Sequence, residues 1–106
     1  MTEQEIKQII DRQREYFRTG ATLSIEFRIR ALERLKAGIL HYEEEITEAI
    51  GKDLGKGGFE SYMCETGLVL SEISYMIKHI RSFAREKRVP TPLAQFHSRS
   101  FIKPSP

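Results

Sequence analysis

Cys64 is the only cysteine in this sequence of 106 residues and the side chain best suited to nucleophilic chemistry. A thiol becomes an effective nucleophile when a neighbouring base or cation favours its thiolate. On a helix, the neighbours of Cys64 by spacing include Glu60, Glu65 and Leu68, which provide neither. Cys64 is therefore interpreted as a structural or bystander thiol. A lone cysteine also excludes an intramolecular disulfide, which favours a reducing compartment.

Metal-binding and phosphate-binding patterns are weak in this sequence. The three histidines have no ligand spacing between them, and the glutamates at 43, 44, 45 and 48 are interpreted as a solvated helix face. The run GKDLGKGG at 51–58 has three residues between its first glycine and Gly-Lys. A phosphate-binding loop needs four, then Ser or Thr, and a strand before it. The run therefore predicts a connection between helices. We expect no catalytic, cofactor-binding or metal-binding residue in this chain.

The element that positions the rest is a helix predicted over 58–87. Its apolar positions advance by alternating steps of four and three, which is a heptad seam: Tyr62, Thr66, Val69, Ile73, Met76, Ile80 and Phe83. A second row runs beside it: Met63, Leu70, Ile77 and Ala84. Two adjacent rows predict a helix that contacts two others. Gly67, inside the helix, indicates close approach by another backbone or by a ligand, or a position that simply tolerates glycine.

Two further helices are predicted before it, over 2–19 and 23–51. Thr2 and Glu5 form a capping box at the start of the first, and Gly20 suits its C-terminal end. Thr22 or Ser24 caps the second, whose heptad row begins at Ile25. The predicted fold class is thus all-α, with three long helices packed antiparallel over 1–88.

The tail over 89–106 changes character because prolines at 90, 92, 104 and 106 forbid a continuing helix. Residues 98–103 alternate polar and apolar side chains and are a candidate β-strand. A single strand has unpaired backbone groups on both edges and is not stable alone. The tail therefore predicts partners outside this sequence.

Charge is unevenly distributed, although the net charge is only +2. Residues 42–72 hold eight acidic and two basic side chains, and residues 78–103 hold seven basic and one acidic. A basic end is compatible with nucleic-acid binding. However, the basic residues are not interleaved with stacking aromatics, so mutual neutralisation is the preferred interpretation. No signal peptide or membrane-spanning run is visible, and a cytoplasmic location is expected.

Three stretches together resemble the N-terminal segment of class-3-type aldehyde dehydrogenases. They are IEFRIRALERLKAGI at 25–39, AIGKDLGKGGFESYMCETGLVLSEISYM at 49–76 and TPLAQFHSRSFIKPSP at 91–106. The resemblance implies a parent enzyme that oxidises aldehydes to carboxylic acids with NAD or NADP. The family's catalytic Cys, Glu and Asn and its dinucleotide-binding sheet would lie beyond Pro106, and Cys64 does not match the catalytic motif. It also implies that Tyr62 and Leu68 approach the substrate entrance, and that the tail strand joins an oligomerisation sheet.

Three hypotheses about function follow from these observations. The first is a structural N-terminal fragment of an aldehyde dehydrogenase, inactive alone, whose partners are the remainder of that chain and other copies bound through exposed helix faces. The alternative is a stand-alone helical module that self-associates through its apolar rows. A nucleic-acid binder that uses the basic end is the weaker third hypothesis.

Overall fold

A computed structural model of the protein describes residues 1–55 and 57–105. Lys56, in the predicted helix connection, and Pro106, at the end of the predicted tail, lie outside the described residues. The elements in chain order are α1 (Glu3–Arg18), α2 (Ile25–His41), α3 (Glu43–Leu54), α4 (Gly58–Ser61), a π-helical turn (Tyr62–Thr66), α5 (Gly67–Phe83), β1 (Lys87–Val89), a 3-10 turn (Leu93–Gln95) and β2 (Ser100–Ile102). The mainly helical fold class is confirmed. The chain divides into two units, one formed by Met1–Arg28 with Ala84–Pro106 and the other by Ile29–Phe83.

Helix α1 begins and ends where its sequence signals predict. The backbone N–H of Thr2 donates to Glu5 Oε2 at 2.6 Å, and the N–H of Glu5 donates to Thr2 Oγ1 at 3.2 Å. This reciprocal capping box satisfies backbone donors that a helix start leaves unpaired. At the other end, Gly20 has a φ of 78°, a left-handed conformation that costs glycine little.

The connection into α2 is held by short-range contacts. The Ser24 hydroxyl accepts a hydrogen bond from the N–H of Phe27 at 3.3 Å, so Ser24 caps the helix. Arg28 Nε donates to the carbonyl oxygen of Thr22 at 2.6 Å. The rings of Tyr16 and Phe27 lie 6.4 Å apart and tilted, within the range of favourable aromatic pairs. These contacts fix the turn between α1 and α2.

The helix predicted over 23–51 is two helices in the structure. Tyr42 leaves helical geometry, with φ −99° and ψ 17°, and separates α2 from α3. Glu43, Glu44 and Glu45 then occupy the first turn of α3, where the positive end of the helix dipole favours carboxylates. Helix α3 continues to Leu54, past the predicted end, and stops at Gly55, whose φ of 66° is left-handed.

The unit formed by 29–83 takes its core from α5. Among the described residues, the buried apolar side chains are Leu70, Ile73 and Ile80, and all three lie on this helix. Their spacing confirms the predicted seam through Ile73 and Ile80. Several other side chains on the predicted apolar rows are about half exposed, including Val69 at 48% and Phe83 at 49%. Helix α5 therefore buries one narrow stripe and leaves a wider apolar face uncovered.

The predicted C-terminal end of the third helix is wrong by several residues. The candidate strand pairs with a second strand from the same chain. Helix α5 ends at Phe83, and Lys87–Val89 forms β1, which pairs antiparallel with β2. Pro90 disfavours helical geometry at the preceding residue, so the segment before it extends and pairs instead. The Thr91 hydroxyl donates to Ser100 Oγ at 3.1 Å beside the ladder. The antiparallel packing of three helices stays a prediction.

Candidate functional site

The two residues expected near a substrate entrance lie at the start of a π-helical turn and just beyond its end. Tyr62 begins the turn and is 49% exposed, and Leu68 follows its end and is 61% exposed. The backbone N–H of Gly67 donates to the carbonyl oxygen of Tyr62, five residues earlier, which is the bond that defines a π turn. Such turns insert one extra residue into a helix and occur frequently at functional sites.

The extra residue changes which side chains face the core. Thr66, Ile73 and Ile80 are buried and seven residues apart, as the heptad seam predicts. The seam continues upstream at Ser61, five residues before Thr66, and Ser61 is fully buried. A straight helix would continue it at Tyr62, which the sequence predicted as a seam residue. The π turn therefore places a small side chain in the core and leaves Tyr62 at the surface.

Gly67 is the residue that makes this geometry possible. A Cβ atom at position 67 would overlap the carbonyl oxygen of Tyr62 and would lie 3.2 Å from the Cε1 atom of its ring. The sequence left three explanations of Gly67 open: approach by another backbone, approach by a ligand, or tolerance of a glycine. In the structure, the nearby backbone is that of Tyr62, in the same helical segment. The Tyr62 ring lies over the space that any other side chain at 67 would fill.

An apolar groove lies beside the π turn. Its volume is about 280 Å³, and it is lined by Ile39, Ile46, Ile50, Glu65, Thr66 and Val69. The hydroxyl of Thr66 is buried without a hydrogen-bond partner among the described residues, and so is that of Ser61. A buried hydroxyl without a hydrogen-bond partner is unfavourable. Ser61 and Thr66 therefore mark a place where the described residues do not provide all the hydrogen bonds that buried groups require. The sequence placed Thr66 on the predicted seam, but it gave no signal for Ser61, because a single serine carries no positional information.

Of the remaining sequence candidates, Cys64 lies on this turn, whereas His41 and His79 do not. Cys64 is exposed. His41 stacks edge-on with Tyr42, with ring centroids 4.7 Å apart, and His79 packs between Tyr75 and Phe83 on α5. Over residues 1–55 and 57–105, no three His, Cys, Asp or Glu side chains are grouped closely enough to hold a metal ion. In the same part of the chain, no helix is long and apolar enough to cross a bilayer.

A nicotinamide dinucleotide does not fit a site built from the described residues. Dinucleotide-binding folds place the pyrophosphate at a glycine-rich turn between a parallel strand and a helix. Here the sheet that the described residues form is a two-stranded antiparallel hairpin. Gly55 and Gly57 lie between helices α3 and α4, without a strand before them.

The chain was compared with known proteins for similarity of sequence and of backbone structure. No protein-family profile matches it. It is similar to 4,4'-diaponeurosporen-aldehyde dehydrogenase of Staphylococcus aureus, with 38% identity over 91 residues, which cover 86% of this chain and 20% of the relative. It is also similar to the dimeric NADP-preferring aldehyde dehydrogenase of Canis lupus familiaris, with 36% identity over 92 residues, 86% of this chain and 20% of the relative. A solved structure of Staphylococcus aureus AldH in a substrate-bound state matches 92% of this chain and 21% of its own, with a TM-score of 0.86 and 37% identity.

These matches relate the chain to the aldehyde dehydrogenases. A member of aldehyde dehydrogenase family 3 from Mus musculus also matches, at 34% identity. The resemblance to the N-terminal segment of class-3-type aldehyde dehydrogenases is therefore confirmed. The chain spans about a fifth of the length of the relatives that it matches.

Proposed function

We propose that this chain is the N-terminal segment of a cytoplasmic aldehyde dehydrogenase that oxidises aldehydes to carboxylic acids with NAD or NADP. The backbone match to Staphylococcus aureus AldH, at a TM-score of 0.86, is the observation that carries this proposal. The segment itself is structural: the thiolate, the general base and the dinucleotide are provided by the remainder of the enzyme. The relative from Canis lupus familiaris is described as NADP-preferring, which supports NADP as the first cofactor to test.

The uncovered apolar face of the 29–83 unit supports this structural role. Phe59 is 80% exposed, Met63 55%, and Tyr75 50%. Large apolar side chains exposed in this way are unfavourable in water, and where they form a patch they mark an interaction site. We propose that the remainder of the enzyme covers this face, so that the helices complete the surface of the cofactor-binding domain.

The exposed pair Tyr62 and Leu68 is proposed to line the substrate entrance. An aromatic ring and an aliphatic side chain, both about half exposed, provide an apolar rim for the hydrocarbon part of an aldehyde. Neither side chain carries a group that reacts with the carbonyl carbon. Their contribution is to binding, so their replacement is expected to change KM more than kcat.

The first experiment measures the natural polypeptide. An antibody raised against the 106-residue chain is used on lysate of the source cells, and the isolated polypeptide is assayed for reduction of NAD and NADP with hexanal and decanal. A polypeptide several times larger than 12.3 kDa with aldehyde-dependent cofactor reduction is the expected result. A large polypeptide without such activity would refute the enzymatic assignment.

The alternative function is a self-associating helical module, favoured by the apolar side chains of α1. Ile6 is 45% exposed, Ile10 39% and Phe17 49%. These residues lie on one side of the helix and suit a second copy of the chain. A sole natural polypeptide near 12.3 kDa that sediments as a dimer or larger would favour this module. Homo-oligomerisation through exposed helix faces is also proposed for the full enzyme, and nucleic-acid binding is proposed for neither form.

A further inference from the structure

We infer that Gly67 is a positioning residue that sets the aldehyde specificity of the enzyme by holding Tyr62 at the substrate entrance. The entrance role rests on the proposed function, whereas the positioning of the ring rests on the geometry of the π turn. A Cβ atom placed on residue 67 would meet both the carbonyl oxygen and the ring of Tyr62. Glycine is therefore required at 67 for the ring to lie where it does.

Any side chain at position 67 would disrupt the π turn. The overlap between a Cβ atom and the carbonyl oxygen of Tyr62 involves backbone, which cannot rotate away as a flexible side chain can. The helix must then lose the bond from the Gly67 N–H to Tyr62 and return to ordinary α-helical bonding. An α-helix turns by about 100° per residue, so a change from i−5 to i−4 bonding rotates the residues upstream of the turn by about that angle relative to α5.

That rotation would exchange the residues at the surface and in the core. In the π form, Ser61 occupies the core position and Tyr62 is 49% exposed. In the α form, the seam would continue at Tyr62, the register that the heptad pattern predicts. Tyr62 would then move toward the interior and Ser61 toward solvent. A single glycine thus decides which of two adjacent residues is presented at the surface.

The chain provides a matched control. Gly38 lies inside helix α2, and a Cβ atom there would meet nothing within 4 Å. Gly38→Ala and Gly67→Ala are the same chemical change in a helix, and both gain intrinsic helix propensity. They differ in the contact with Tyr62. Any effect of Gly67→Ala that Gly38→Ala lacks is therefore assigned to that contact.

The structural readout uses NMR on the 106-residue chain. A nuclear Overhauser contact between the Tyr62 ring and the Gly67 Hα protons is expected in the parent chain and in Gly38→Ala. In Gly67→Ala, the Tyr62 ring is expected to leave position 67, with amide shifts concentrated over 61–67. An unchanged Tyr62 environment in Gly67→Ala would overturn the inference, whatever the enzyme does.

The functional readout uses the natural polypeptide, with the substitutions introduced in its gene. Gly67→Ala is expected to raise KM for decanal about fivefold to tenfold, with less than about a twofold change in kcat, because an apolar contact in the entrance is lost. Tyr62→Ala, which removes an exposed ring, is expected to reproduce this change. The double variant should be no worse than either single one, since both remove the same contact.

The outcomes distinguish the positioning of Tyr62 from the proposed function. A parent polypeptide that oxidises no aldehyde refutes the proposed function and the entrance role with it, while the NMR result still decides the positioning of Tyr62. An active parent in which Gly67→Ala behaves like Gly38→Ala refutes the inference alone. Additive effects of Gly67→Ala and Tyr62→Ala would also refute it, because Gly67 would then act through another group.

Discussion

Replacement of Ile73 by alanine tests whether the stripe on α5 is the core of the 29–83 unit. Ile73 is 6% exposed, so nearly all of its side chain is removed from water. Ile→Ala deletes three carbon groups, each worth about 0.8 kcal/mol when buried, which gives about 2.5 kcal/mol. The cavity left behind adds to this loss, and the total is expected to be about 3 kcal/mol.

Leu68→Ala is the matched control for this substitution. It also removes three carbon groups from α5, but Leu68 is 61% exposed, so its expected loss is about 1 kcal/mol. Urea unfolding followed by circular dichroism at 222 nm should therefore give a midpoint about 1 M lower for Ile73→Ala than for Leu68→Ala. Equal midpoints would refute the assignment of Ile73 to the core. Ile73→Asp, which buries an unpaired charge, is expected to unfold or dissociate the chain. Unchanged helicity and mass in this variant would show that Ile73 is not in the core.

Three further predictions concern local structure. Thr2→Ala should lower the stability of α1 by about 1 kcal/mol, measured as faster amide exchange in its first turn, whereas Thr2→Ser should not; equal exchange would contradict the capping role. Gly55→Ala should destabilise the end of α3 by about 1 kcal/mol, because φ at this residue is 66°, and Gly55→Asn should lose less; thermal unfolding at the parent temperature in both would refute this. Arg28→Lys keeps the charge but loses the Nε donor 2.6 Å from the Thr22 carbonyl, so the free energy of unfolding should fall by about 1 kcal/mol in urea titration, and an unshifted midpoint would contradict it.

Local signals in the sequence predicted several features correctly. The capping box at Thr2, the left-handed Gly20 and the cap at Ser24 are each formed by residues within four positions of one another. Their energetics depend on neighbouring backbone groups alone, so the sequence contains the whole of the interaction. The seam through Ile73 and Ile80 is similarly local, because helix geometry converts spacing into a common face.

The errors of the sequence prediction occur where alternatives of similar energy compete. Tyr42 lies in the predicted heptad row and is not a strong helix breaker, and residues 84–87 continue from the predicted seam without a breaker of their own. The break at Tyr42 places three glutamates at a new helix N-terminus, and Lys87–Val89 pairs with β2 eleven or more residues downstream. Strand pairing depends on a distant segment, which a local pattern does not contain.

The sequence by itself determined the mainly helical fold class, the positions of the first caps, the stripe on α5 and the relationship to aldehyde dehydrogenases, because these depend on short-range spacing or on residue identity. Only the tertiary structure decided that Ser61 and not Tyr62 enters the core. The physical reason is that an i to i−5 bond and an i to i−4 bond use the same backbone groups, and the choice between them depends on packing around Gly67 rather than on the apolar pattern.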